Sequence, residues 1–111
     1  MQLQKAGTRL LAILGVAVMG FCAKSISAQT PGEAVFKTKC AVCHGADGKG
    51  ETPVAKANKQ RDLGSAEVQK QSDGELSAII GSGKGKMPAY GKSLKAEQIK
   101  ELVAYIRTLK R

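Results

Sequence analysis

Cys40-Ala41-Val42-Cys43-His44 brings two thiols and an imidazole together within five residues. On a helix the two cysteines stand about one turn apart, so their sulfurs can meet the two vinyl groups along one porphyrin edge as thioethers. The adjacent His then falls under the macrocycle, where its imidazole can take the proximal side of an iron. C-x-x-C-H is the spacing of c-type haem attachment. Three other chemistries use parts of this pattern. A thioredoxin-like dithiol wants a βαβ context, and no alternating apolar run of useful length occurs here. Zinc wants four ligands, and these residues supply three. A plain disulfide between Cys40 and Cys43 stays open in an exported chain.

Met87-Pro88 is the second feature with chemistry in it. A lone Met is ordinarily an adaptable core filler. Met87, however, lies on no helical stripe and follows the Gly/Lys-rich run Gly81-Ser82-Gly83-Lys84-Gly85-Lys86. A thioether in a loop is a poor core residue and a reachable ligand, and Pro88 stiffens the loop that carries it by fixing φ. His44 is the only histidine, so Met87 is the one soft candidate for a sixth iron ligand. Thioether ligation disfavours ferric relative to ferrous iron and raises the potential above that of two imidazoles. The expected cofactor is one covalent haem c, with Cys40 and Cys43 as thioether anchors, His44 as proximal axial ligand and Met87 as distal axial ligand.

The N-terminus explains an otherwise puzzling composition. The chain has 111 residues, a formal charge of +9, thirteen Gly and only four Phe plus Tyr, a thin core for any domain. Lys5 and Arg9 precede the unbroken apolar run Leu10–Ala23, and small and polar residues follow through Ala28. That is the layout of a secretory signal peptide, and the run is too short for a bilayer span. Residues 1–28 are expected to be removed and 29–111 to form the single domain. Their removal takes three bases and no acid, so +9 becomes +6, and Cys22 goes with them. A covalent haem would supply the apolar mass that 83 residues with three aromatics lack.

The elements that must position these residues read as all-α, three to five helices with long loops wrapped around the haem. Thr30-Pro31-Gly32-Glu33 starts the first, which runs to about Val42 with Phe36, Cys40 and Cys43 on one face. Gly45–Pro53 is a Gly-rich loop, residues 54–64 show no clear period, and Ser65–Gln71 can make a short helical turn. Ser72-Asp73-Gly74-Glu75 opens a helix through Ile80, and Ile99, Leu102, Val103, Ile106 and Leu109 stripe the last one. Pro53, Leu63, Ile79, Ile80 and Tyr90 are candidates for the pocket wall, and Arg61 for a contact to a haem propionate.

Residues 30–111 resemble a class I monohaem c-type cytochrome: a first helix entering C-x-x-C-H-G, a middle loop, a Gly/Lys stretch ending in Met-Pro, and a closing helix. The resemblance implies that His44 and Met87 are the axial ligands. It also implies that the first and last helices cross through a small residue and aromatics, with Phe36 and Tyr105 at the matching positions. Lys95, where a Ser or Thr cap would stand, and a short loop between haem motif and Met depart from the pattern. The function implied is a soluble periplasmic one-electron carrier, not an enzyme. Its partners would be redox proteins with acidic docking surfaces, such as a membrane or periplasmic oxidoreductase. The mature chain is expected to be a monomer with no stable membrane insertion. Lys84, Lys86, Lys92 and Lys95 cluster around Met87 and suit such docking; nucleic acid is excluded by export and by the lack of stacking aromatics. Two alternatives are a dedicated electron-entry subunit of a redox enzyme and a ligand-binding or peroxidase-like haem protein with a labile Met.

Overall fold

Thr30 ends an extended stretch, and its hydroxyl accepts the Glu33 N–H at 3.2 Å, while Pro31 takes a first-turn position that needs no donor. The computed structural model describes residues 27–111 together with Gly15, Gly20 and Ser25. The expected signal segment therefore lies almost wholly outside the described residues, Cys22 included. From the Thr30 cap a single helical rod begins: α1 (Pro31–Val35), a π-helical turn (Phe36–Cys40) and α2 (Ala41–His44). In the π turn the Ala41 N–H donates to Phe36 O, one residue further back than in an α-helix. Thr38 sits in this turn, its hydroxyl donating to Ala34 O and Val35 O at 3.0 and 3.1 Å.

Four further helices follow. These are α3 (Pro53–Ala57), α4 (Ala66–Gln69), α5 (Asp73–Ser82) and α6 (Ala96–Thr108). Counted with the rod this makes five helices, and among the described residues there is no strand, so the architecture is all-α as expected. The Ser72–Glu75 capping box opens α5 as its sequence predicts, and α5 continues two residues past Ile80 before Gly83, at φ +75°, ends it. At α6 the Gln98 side chain accepts the Lys95 N–H at 2.9 Å, supplying half of the cap that Lys95 itself cannot.

One helix was not legible as a period. α3 begins at the end of the Gly-rich loop and occupies the start of the stretch with no clear period; it is capped by Thr52, whose oxygen accepts the Ala55 N–H at 3.0 Å, with Pro53 in the first turn. This repeats the Thr-Pro start of α1, which is the signal that could have found it. At five residues it is too short to show apolar periodicity.

The rod and α6 cross where Gly32 meets the α6 backbone. A Cβ on Gly32 would lie 2.1 Å from Glu101 O, so only glycine permits this approach. One turn on, Phe36 packs against Tyr105 with ring centroids 5.2 Å apart and planes tilted by 51°, the aromatic pair that the resemblance implied. Around them Val68, Leu76, Ile80, Leu94, Leu102, Val103 and Ile106 are buried as one cluster. The α6 stripe read from sequence thus faces inward, with Ile99 and Leu109 at its partly covered ends.

Arg107 fixes α4 and α5 to α6. It donates to Gln69 O at 2.7 Å and Gln71 O at 2.5 Å, where α4 ends, and to Asp73 Oδ1 at 2.8 and 3.0 Å, where α5 begins. Arg107→Ala leaves these partly buried carbonyls without their donor. We expect about 1–3 kcal/mol of lost stability, read as a lower guanidinium midpoint at unchanged slope, with Arg107→Lys recovering only part.

Candidate functional site

His44 is the last residue of α2, and the backbone turns away behind it. Gly45 at φ +82° breaks the helix, Gly50 N–H returns to His44 O at 2.9 Å, and the Thr52 hydroxyl donates to Cys43 O at 2.5 Å. These bonds dock the start of α3 against α2 and hold the imidazole at the edge of the core. The ring is half-buried, its Nδ1 has no hydrogen-bond partner, and burial lowers its basicity. The imidazole therefore stays neutral, the form that binds a metal.

Met87 is held by a different device. Lys84 and Met87 exchange both backbone hydrogen bonds, at 3.2 and 2.9 Å, closing a tight turn in which Gly85 takes φ +57°. Gly83 before it admits no side chain, since a Cβ there would stand 2.6 Å from Met87 O. Beyond the turn, Tyr90 N–H and Gly91 N–H donate to Ile80 O and Gly81 O, both at 2.9 Å, tying the segment back to α5.

His44 and Met87 line one cavity of about 510 Å³. Its apolar wall comes from Leu63, Val68, Leu76 and Ile79, and its mouth carries Lys59, Arg61, Lys84 and Lys86. A smaller recess of about 60 Å³, shared by His44 and Met87, runs inward past Cys40, Phe36 and Ile80 to α6. The structure thus brings together three of the four residues singled out from sequence. Cys43 is half-buried on α2 and outside the lining; three residues after Cys40, a helix turns it by about 60°.

Both cysteines are free thiols in this structure, and burial, with Cys43 nearby, pushes the Cys40 thiol up to about 11. That is the opposite of the lowered thiol of a dithiol oxidoreductase. Among the described residues no group of three or more His, Cys, Asp or Glu is placed to hold a metal ion, so the zinc reading gains no further ligand.

Of the candidate wall residues, Leu63, Ile79 and Ile80 face these cavities. Pro53 and Tyr90 do not: Pro53 is spent on the start of α3, and the Tyr90 hydroxyl donates to Lys39 O at 3.3 Å. Arg61 stands at the mouth, 3.4 Å from Glu67. Gln60 and Lys59 were missed. Gln60 lines the cavity with its Oε1 buried and unpartnered, and Lys59 reaches it from a left-handed conformation, φ +52°, after α3.

Residues 27–106 match the family model described as cytochrome c oxidase, cbb3-type, subunit III. The chain is 38% identical over 78 residues to cytochrome c6 of Aphanizomenon flos-aquae, covering 68% of this chain and 83% of that one. The chain belongs to the monohaem c-type cytochromes. Cytochrome c6 of a Nostoc species is 33% identical over 99 residues, 86% of each chain. Among solved structures, the KustC0563 c-type cytochrome superposes with a TM-score of 0.67 at 30% identity, covering 72% of this cytochrome and 98% of that chain.

The cofactor of this cytochrome is covalently bound haem c, and its cavity suits one. The wall is apolar for a porphyrin face, an imidazole with an unpartnered Nδ1 and a thioether border it, and four cations and the buried Gln60 amide line the same space. No helix among the described residues is long and apolar enough to cross a membrane.

Proposed function

We propose that this cytochrome is a soluble periplasmic one-electron carrier in which Cys40 and Cys43 anchor the haem and His44 and Met87 are its axial ligands. The observation that carries this reading is the shared cavity: His44 from α2 and Met87 from the turn after α5 border the same apolar space. Haem c bound there supplies the Fe(III)/Fe(II) couple. His44 offers a neutral nitrogen, held at the end of a helix whose other turns are packed on α6. Met87 offers a soft sulfur, which favours the ferrous state. With both axial positions taken by protein, no place is left for a substrate, so the site suits electron exchange and not catalysis. Neither side chain needs to gain or lose a proton for an electron to pass. Residues 1–28 serve as the export signal in this reading, which N-terminal sequencing of the native protein checks.

Met87→Ala tests the ligand set. We expect the reduced variant to bind carbon monoxide readily where the parent binds it slowly, and its potential to fall by a few tenths of a volt, within the roughly 0.8 V that axial ligation spans. Rapid carbon monoxide binding by the parent itself would overturn the carrier reading.

A second reading, an electron-entry subunit of an oxidase, is favoured by the description of the matching family model. Sedimentation of the natively purified protein separates the two: a carrier runs as a monomer, a subunit with its enzyme.

A further inference from the structure

His44 and Met87 reach their cavity on two pieces of backbone that meet mainly through a third. The rod that carries His44 packs on α6 through α1, and the Met87 turn is tied by backbone bonds to α5, which packs on α6 as well. Among the described residues one hydrogen bond joins the two pieces directly. The Tyr90 hydroxyl donates to Lys39 O at 3.3 Å, across 51 positions of sequence. Both ends adjoin the candidate haem residues: Tyr90 follows Met87 and Pro88 after Ala89, and Lys39 directly precedes Cys40. The Tyr90 backbone is fixed from both sides. Its N–H donates to Ile80 O at 2.9 Å, and its carbonyl accepts the N–H groups of Ser93 and buried Leu94 at 3.0 and 2.8 Å. The ring packs on the buried cluster, so its hydroxyl has little freedom to swing. At the other end Cys40 stands at φ −110°, against about −63° in a regular helix, which turns the Lys39–Cys40 peptide from its regular bearing. The carbonyl of that peptide is the one that accepts the phenol.

We propose that Tyr90 is a positioning residue for the axial methionine: by holding Lys39 O it fixes the Met87 turn against the rod that carries His44 and keeps the thioether in its axial place. This inference rests on the reading of His44 and Met87 as the axial ligands. Met87 then competes with any external ligand for one position. An external ligand binds only the fraction of molecules whose methionine has let go, so its apparent affinity measures how firmly the turn is held.

Imidazole binding to the ferric, haem-loaded cytochrome tests this, followed in the visible spectrum together with the sulfur-to-iron charge-transfer band. Tyr90→Phe keeps the ring and removes the donor. We expect its charge-transfer band to weaken and imidazole to bind about two- to tenfold more tightly, the range that one lost hydrogen bond spans. Arg107→Ala is the comparison, because its bonds hold α4 and α5 and do not include the Tyr90–Lys39 pair. Its guanidinium midpoint should fall further than that of Tyr90→Phe, with the imidazole affinity of the parent. A parent-like affinity in Tyr90→Phe overturns the inference. So does equal tightening in Arg107→Ala, which would mean that Tyr90 acts through overall stability alone. A parent that lacks the charge-transfer band and takes up imidazole at once overturns the ligand reading, and this inference with it; a parent with the band and a matching Tyr90→Phe variant overturns this inference alone.

Discussion

Replacing both Cys40 and Cys43 with Ser is expected to abolish covalent haem and most of the helix content together. The reason lies in how little else fills the centre. The buried cluster comprises eight side chains, Phe36 the only aromatic among them, and Leu76 and Val68 belong at once to that cluster and to the cavity wall. Without the haem, an apolar-walled space of about 510 Å³ opens to water through its basic mouth, and the apolar contact that the cofactor would give its wall is lost. A domain of this size has only about 5–15 kcal/mol of stability in all. Haem staining after denaturing electrophoresis should be blank, and far-UV circular dichroism should lose more than half of its helical signal. A haem-free variant with the parent's helix content would show that the core stands without its cofactor.

Gly32→Val is expected to cause the largest loss of stability among variants that leave every proposed haem contact in place. The first atom of the new side chain would fall 2.1 Å from Glu101 O and 2.6 Å from Glu101 C. The obstacle is α6 backbone, which cannot swing aside as a side chain can. The two helices must separate, and the Phe36–Tyr105 contact goes with them. We expect a loss of ~3 kcal/mol or more, seen as a lower guanidinium midpoint while covalent haem is retained. Gly74→Ala is the control: its Cβ would meet nothing closer than Ser72 Oγ at 3.8 Å, in the first turn of α5. It should be neutral or slightly stabilising.

The sequence made the ends of this fold more legible than its middle. α1 and α5 announce themselves through caps, and α6 through a stripe long enough to show its period. The C-x-x-C-H spacing and the isolation of Met87 point to His44 and Met87 without any knowledge of the fold, and both border one cavity. Residues 62–64 resist such reading because their shape comes from contacts distant in sequence. Leu63 N–H bonds Gly48 O at 2.9 Å, Arg111 N–H bonds Gly64 O at 3.0 Å, and Arg111 pairs with Asp62. Lys59 and Gln60 reach the cavity where α3 ends, with Lys59 N–H bonded to Lys56 O at 3.2 Å and Gln60 N–H to Ala55 O at 2.8 Å.

The π-helical turn has a consequence for the rotational phase of the first helical rod. The wider turn inserts one residue between the part that crosses α6 and the part that carries the attachment motif, and one residue is worth about 100° around a helix axis. Gly32 and Phe36 can therefore face α6 while the side chains of the next turns take their own bearing. Deleting Thr38, exposed and bonded only within the rod, would restore a regular helix. It would swing Cys40, Cys43 and His44 by that angle relative to Gly32. The rod works as two gears on one shaft, and the five residues from Phe36 to Cys40 set the offset between them.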